Sequence, residues 1–247
     1  MKKPIISVIV PAFNEEKRIK NCLESIVNQD FKKKYEVILV DNNSTDNTVK
    51  IARKFFPMVR IVPEYTQGVY FARFRGVREA KGEIIAFTDA DSIVPKFWIS
   101  NIVKAFENQN VSGVGGTVSL MPKNGWISIC ESLVNYFNLN LKTFHGANMS
   151  FRKEAYFKCG GFLPKLNLGE DFYLSLRLKR VGKVKVVENR VITSSRRFFD
   201  GFYRYVFEYL SNMVSLYLFD KPVFYKLKDL KERATAALDL QEDKNFP

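Results

Sequence analysis

The chain has 247 residues, of which 46% are hydrophobic and 26% charged, proportions normal for a globular protein with one large domain. Its 39 lysines and arginines against 26 acids give a net charge of +13, which calls for an anionic partner: nucleic acid, phosphorylated small molecules or an anionic membrane leaflet. Cys22, Cys130 and Cys159 are odd in number, far apart and without a CxxC pair, which excludes a disulfide framework and a zinc site and suits a reducing compartment.

Ile5–Val10 is a continuous apolar run rich in β-branched residues, as a buried parallel strand requires, and Pro11 cuts it off. That leaves no h-region or cleavage site of a signal peptide. No stretch approaches the roughly 20 apolar residues of a spanning helix. The expected location is the cytoplasm, soluble or peripheral on the cytoplasmic face of a membrane. A helix is predicted over Glu15–Asn28 from Ile19, Leu23, Ile26 and Val27, and a second strand over Tyr35–Val40, ending at Asp41. Ser44 or Thr45 is placed to cap a helix running to about Phe56. A strand at Val59–Val62, a helix at Val69–Ala80 and a strand at Glu83–Thr88 follow, the last ending at Asp89. This alternation predicts βαβ units and a mostly parallel sheet with helices on both faces.

Beyond residue 95 the pattern is less regular. Helices are predicted at Pro95–Asn108, Trp126–Leu141 and Gly169–Val181, with extended segments at Val111–Leu120, Gly146–Phe151, Lys183–Val187 and Val191–Thr193. The expected division is one domain over residues 1–195, in two halves (1–110 and 111–195), followed by an aromatic, basic helical extension (196–247). In that extension Phe198, Phe199, Phe202, Tyr203, Tyr205, Phe207, Tyr209, Tyr217, Phe219, Phe224 and Tyr225 alternate with Arg196, Arg197, Arg204, Lys221, Lys226 and Lys228. Such a mixture suits an anionic membrane interface, and equally a helix packed on the core or a dimer contact.

Ligands of open α/β sheets bind beyond the carboxyl ends of the strands. Pro11-Ala12-Phe13-Asn14-Glu15, Asp41-Asn42-Asn43 and Asp89-Ala90-Asp91 all fall there. Two aspartates one residue apart at a strand end suit a hard cation such as Mn²⁺ or Mg²⁺, or a simple turn. Glu170-Asp171 opens a helix, where acids either complement the helix dipole or serve as a general base. Asp41, Asn14 and Glu15 are placed to meet the base and ribose of a nucleotide, or to close loops. Arg73 is placed to reach a diphosphate or the surface. His145, the single histidine, reads as a loop or site-lining residue.

Six segments in order resemble the inverting glycosyltransferase family two with its GT-A fold: SVIVPAFNE (7–15), VDNNSTD (40–46), the Gly68–Gly82 helix with Arg73, AFTDAD (86–91), GANMSFR (146–152), and Gly169-Glu170-Asp171 with Arg177 and Gly182. The resemblance implies a catalytic domain with a nucleotide-binding half (1–110) and an acceptor half (111–195), a nucleotide-diphosphate sugar donor, and a nucleotide site at Pro11, Phe13, Asn14, Glu15, Asp41, Arg73, Asp89, Ala90 and Asp91. It further implies a metal on Asp91 and Asp89, catalysis by Asp171 with Glu170, and a sugar or acceptor pocket at Gly146, Ala147 and Asn148. Arg196 and Arg197 are assigned to that pocket, to hold phosphate or close a loop, and read equally as surface charge. Ser92 replaces a third acid, Phe74 replaces an asparagine, and Ser195-Arg196-Arg197-Phe198 stands where processive synthases carry QxxRW. Single-sugar transfer to a glycan or lipid-linked acceptor is therefore expected. The competing readings are a non-catalytic nucleotide-sugar module, a polyprenyl-phosphate sugar synthase and a nucleotidyltransferase, although the last lacks a glycine-rich loop between Val10 and Arg18. Nucleic acid is disfavoured as a partner, because no recognition motif appears and the basic residues are dispersed.

Overall fold

The computed structural model describes residues 3–164, 166, 168–196 and 202–223, with the side chains of 202–206 excepted. Arg197, Phe198, Phe199, Phe224, Tyr225, Lys226 and Lys228 lie outside that set.

Among the described residues, seven strands form one sheet in the order β3-β2-β1-β4-β6-β5-β7. At its centre β1 (Ile6–Ala12) runs parallel to β2 (Tyr35–Asp41) and β4 (Ile84–Phe87), and β2 runs parallel to β3 (Arg60–Pro63). Side-chain alternation divides β1 between two cores. Ile6, Val8 and Val10 enter a cluster with α1 (Ile19–Val27) and α4 (Trp98–Ala105), whereas Ile9 enters one with Ile38, Val40, Ile85 and Phe87 beneath α3 (Val69–Glu79). Burial on both faces explains the unbroken apolar run.

Pro11 does not end β1. The carbonyl of Ile9 accepts from Thr88 on the β4 side and that of Ala12 from Asn42 on the β2 side. The Pro11 nitrogen therefore faces the side where pairing with β4 has stopped, at Phe87 opposite Ile9, and no ladder bond is lost.

Three helices begin later than the sequence suggested: α4 starts at Trp98 instead of Pro95, and the helices after β1 and β2 are delayed for a shared reason. The backbone N–H groups of Asn14, Glu15 and Glu16 donate to Ser44 Oγ, Thr48 Oγ1 and Asp46 Oδ2, so the loop after β1 is bound to the loop after β2. This delays α1 to Ile19 and engages Ser44 away from its proposed cap. Asp46, not Ser44 or Thr45, accepts from the Thr48 N–H at the start of α2 (Thr48–Phe55).

In the second half β6 (Met149–Arg152) runs antiparallel to both β4 and β5 (Val111–Met121). One continuous β7 (Lys183–Ser194), parallel to β5, replaces the two short strands expected there. Irregularities opposite Val111–Gly113 and Gly115–Thr117 break its alternation, which is why the pattern resembled two pieces. A short α6 (Lys153–Lys158) was not expected: it buries only Ala155 and Tyr156, too few residues to show a helical period. The remaining helices are α5 (Gly125–Leu141), α7 (Glu170–Lys179) and α8 (Phe202–Phe219). Met213 and Leu216 of α8 pack with Leu166, Phe172 and Tyr173, which docks α8 against α7. No described helix is long and apolar enough to cross a membrane.

Gly82 sets the entry to β4. A Cβ there would lie 2.7 Å from the Ser7 backbone nitrogen and 2.8 Å from the Ile6 carbonyl carbon. The Gly82 N–H also donates to the buried Ser7 Oγ, which donates in turn to Glu36. Because the obstructing atoms are backbone, Gly82→Ala is expected to cost about 1–3 kcal/mol, measured by urea denaturation; unchanged stability would show that β4 can shift without penalty.

Candidate active site

The topology explains why distant segments meet. The C-terminal ends of β1, β2 and β4 carry Glu15, Asp41 and Asp89–Asp91 to one edge of the sheet. Because β6 is antiparallel to β4, the loop that enters it, Gly146-Ala147-Asn148, reaches that same edge. The strand β7, parallel to β5, delivers Thr193 and Arg196 there as well.

Two arginines organise this edge. Arg73, on α3, is only 2% exposed, and its guanidinium bridges Glu170 Oε1 (2.5 Å) and Asp89 Oδ1 (3.0 Å). The surface reading of Arg73 is thereby corrected: it joins the DxD strand to the first turn of α7. The fit depends on glycine, since a Cβ on Gly146 would stand 2.4 Å from Arg73 Nη2. Arg196 forms the second bridge, from Nη2 to Glu15 Oε1 (2.6 Å) and Asp91 Oδ2 (2.7 Å). Burial opposes the charge on Arg196, but Asp91 and Glu15 outweigh it and raise its pKa. Burial raises the Glu15 carboxyl despite the adjacent guanidinium.

Asp171 has a different environment. Its Oδ2 accepts from the Gly146 N–H (2.7 Å) and its Oδ1 from its neighbour's N–H, that of Phe172 (2.8 Å). Burial pushes its carboxyl above the ordinary aspartate value; Arg73 and the two N–H groups pull the other way without cancelling the rise. Its pKa is thus raised in the manner of a general base, while the glycine loop holds its orientation.

The other predicted residues divide into two groups. Pro11, Phe13, Asn14 and Asp41 are partly exposed along the loops, available from solvent. Asn14 adopts φ +53 and its Oδ1 accepts from Thr45 N, while Asp41 Oδ1 accepts from Ser44 N, so both also close the loops. Ala90, Ala147 and Asn148 are buried behind the edge. The Asn148 amide donates to the carbonyls of Thr117 and Asn189 and accepts from the Trp98 indole, which makes it a bracket between strands, not a group presented to a sugar. The Nδ1 of His145 accepts from the Ala147 N–H and shapes the same loop.

Three residues, Asn42, Ser92 and Thr193, have contacts at this edge that only the fold discloses. Asn42, 4% exposed, donates to the carbonyls of Glu64 and Thr66 and accepts from Gly68 N, which fixes the loop before α3. Ser92 donates to Thr193 Oγ1, and that hydroxyl reaches Asp91 Oδ1 at 3.4 Å. Asn42 lies inside a polar cluster visible in the sequence, whereas nothing in the pattern around Thr193 connects it to Asp91.

The oxygen donors at this edge suit a hard divalent cation. The position between Glu15 and Asp91 already holds a guanidinium, so it favours positive charge, and Glu15 Oε2 is buried without a hydrogen-bond partner among the described residues. No group of three or more His, Cys, Asp or Glu residues capable of holding a metal occurs among the described residues. A cation here would thus rest on Asp91, with Asp89, and take further ligands from substrate and water.

Residues 7–160 match the model of Glycosyl transferase family 2. The chain belongs to this family. Glycosyltransferase AglE of Haloferax volcanii is 31% identical over 191 residues, which cover 72% of this chain and 62% of that protein. A Methanococcus voltae protein named dolichyl N-acetyl-α-D-glucosaminyl phosphate 3-β-D-2,3-diacetamido-2,3-dideoxy-β-D-glucuronosyltransferase is 26% identical, over 62% of this chain and 49% of its own length. The chain therefore spans roughly half to two thirds of these curated relatives. Among solved structures, the mannosyltransferase PcManGT from Pyrobaculum calidifontis, in complex with GDP-Man and Mn²⁺, superposes with a TM-score of 0.63 at 27% identity, covering 79% of this chain and 57% of its own. TarS of S. aureus gives a TM-score of 0.65 at 20% identity, over 87% of this chain and 44% of its own, a likeness of fold. The architecture is the GT-A fold.

Removal of Arg73 would take away the guanidinium that bridges the buried Glu170 to Asp89. Arg73→Met is expected to destabilise the family 2 domain by about 3–5 kcal/mol, read from the denaturation midpoint. A loss below about 1 kcal/mol would mean that the bridge behaves as a solvent-screened surface pair.

Proposed function

We propose that the chain transfers one sugar from a nucleotide-diphosphate sugar to an acceptor, with inversion at the anomeric carbon, and that Asp171 is the base. The observation that carries this reading is the Asp171 carboxylate, buried and raised in pKa, held beside the Arg73 bridge to Asp89. Family membership supports a sugar nucleotide as donor, and PcManGT offers a relative with GDP-Man and Mn²⁺ bound.

In the proposed reaction the donor diphosphate lies against Asp89–Asp91, with Asp41, Asn14 and Glu15 lining the nucleotide end. Asp171 takes the proton of an acceptor hydroxyl while that oxygen forms its bond to the anomeric carbon. The bond from that carbon to the diphosphate oxygen breaks on the opposite side, and the nucleoside diphosphate leaves with the electron pair. A divalent ion held by Asp91 and Asp89 would neutralise charge on that leaving group. Glu170, engaged by Arg73, holds the first turn of α7 and so positions its neighbour Asp171. The name of the M. voltae relative supports a lipid-linked acceptor. If the acceptor is itself a lipid phosphate it is already ionised, and Asp171 only orients it.

Asp171→Asn is expected to lower kcat by about 10²–10⁴-fold while donor binding is retained. Loss of donor binding together with turnover would instead give Asp171 a structural role, and a near-neutral effect would favour the lipid-phosphate acceptor. The acid limb of the kcat/KM profile is expected above the ordinary aspartate range, because a base must be ionised and burial raises this one. Stability has the opposite sign. A carboxyl whose folded pKa is raised contributes stability below its unfolded pKa, and that contribution is lost as pH rises through the folded value. Unfolding measured against pH should therefore show the wild type falling relative to Asp171→Asn toward neutral pH; parallel curves would refute the raised value.

Donor and metal are tested together by thermal shift with a panel of nucleotide sugars, with and without Mn²⁺. A donor present at about 100 times its Kd should stabilise the fold by about 2.7 kcal/mol, and Asp91→Ala should remove the Mn²⁺-dependent part. A wild type that binds donor yet never turns over any acceptor tried would support a non-catalytic module.

A further inference from the structure

Two helices present apolar faces outward. On α5, Trp126, Ile129, Leu133 and Tyr136 are spaced along one face, and each is more than half exposed. On α8, Leu210, Val214 and Tyr217 repeat the same spacing and are likewise exposed. Phe137 of α5 and Tyr209, Met213 and Leu216 of α8 belong to one hydrophobic cluster with Leu166, Phe172 and Tyr173, so both helices are anchored on the same part of the core. Exposed apolar stripes of this kind mark an interaction surface.

Charge identifies the partner. Neither stripe presents an exposed acid: Glu131 of α5 is buried and engaged by Lys123 and Arg190, and Glu208 of α8 is buried. Asp220, just beyond α8, is paired with Arg177 and Arg180. Exposed lysines stand at the margins, Lys123 and Lys142 flanking α5 and Lys221 following α8. A second copy carrying the same +13 charge would be repelled at long range, whereas an anionic lipid surface would attract it. The opposite, buried face of α8 borders the catalytic edge, so α8 carries the stripe on the far side of the same helix. Asn212 of α8 donates to the Leu168 carbonyl, and its side chain and that of Leu216 face Gly169, directly before Glu170-Asp171. On the other side, the Met121 carbonyl, shortly before α5, accepts from Ser195 N.

We infer that the α5 and α8 stripes together form a docking surface for an anionic bilayer, which seats the edge bearing Asp171 at the lipid headgroups. This goes beyond sugar transfer and stands without it, so the test uses no sugar nucleotide. Trp126 is 67% exposed and Trp98 fully buried, and the sequence has no other tryptophan, so changes in emission on docking report α5.

The full chain is mixed at low salt with phosphatidylcholine vesicles, with or without phosphatidylglycerol. The expected result is co-sedimentation with the anionic vesicles, a blue shift of Trp126 emission, and loss of both at high salt. The double variant Ile129→Glu, Leu133→Glu and, separately, Val214→Glu should weaken binding at least about tenfold. All three positions are exposed, so circular dichroism and thermal unfolding should match wild type; a variant that fails this check is replaced by the milder Ile129→Ser or Val214→Ser. Absence of sedimentation at low salt, or equal binding by the folded variants, would overturn the inference. A wild-type dimer that these variants convert to monomer would also overturn it, by assigning the surface to a second copy.

Discussion

A guanidinium removed from water between two carboxylates is the constraint on which the rest of the site depends. Arg73 has almost no contact with solvent, and its two terminal nitrogens serve Asp89 on one side and Glu170 on the other. Buried charge is tolerated only where its partners are in place. The bridge therefore couples the end of β4 to the beginning of α7, segments more than eighty positions apart in the chain. Its geometry requires glycine at 146, and that same loop supplies the N–H that orients Asp171. Donor edge, glycine loop and proposed base are consequently one mechanical unit, and a change at any of the three reaches the other two.

That unit can form because one strand runs against its neighbours. Were β6 parallel to β4, Gly146–Asn148 would emerge at the opposite edge, a full strand length away from Asp89. The reversal brings the loop to the reactive edge, and Asn148 secures it by tying Trp98, Thr117 and Asn189 from three separate elements. A residue whose sequence position suggested contact with sugar instead holds the scaffold that a sugar would meet.

The parallel half of the fold was legible because burial on both faces leaves continuous β-branched runs, and because acids and asparagines follow each run directly. The six motif segments located the DxD pair, Arg73 and Glu170-Asp171 before any contact was known. What the sequence did not disclose was pairing. The Asp46 cap and the delayed starts of α1 and α2 depend on one loop bonding another some thirty residues away. The continuity of β7 is masked by irregular register, and Thr193 approaches Asp91 from the far end of the sheet. None of these leaves a periodic trace along the chain. The exposed face of α5 escaped for a related reason: the helix turns Glu131, Asn135 and Asn138 inward and Trp126, Ile129, Leu133 and Tyr136 outward, and only packing reveals that the usual sidedness is reversed.

Charge balance at the edge bears on how an anionic donor can approach it. Glu15, Asp89, Asp91, Glu170 and Asp171 converge there, and the arginines among them are already engaged: Arg73 by Asp89 and Glu170, Arg196 by Glu15 and Asp91. The strong net positive charge of the chain therefore lies elsewhere, and a diphosphate arriving at this edge meets a locally acidic surface. The raised pKa values of Glu15 and Asp171 relieve part of that excess by favouring their neutral forms. In the proposed reaction the remainder would be offset by a divalent ion on Asp91 or by release of Arg196 toward the phosphates. Both routes involve the contact between Arg196 and Asp91, because the guanidinium already holds Asp91 Oδ2. Arg196 is on this argument the internal counter-ion of the site: it neutralises the acidic tip of the DxD strand, and in the proposed reaction it is the group that would yield Asp91 to a cation.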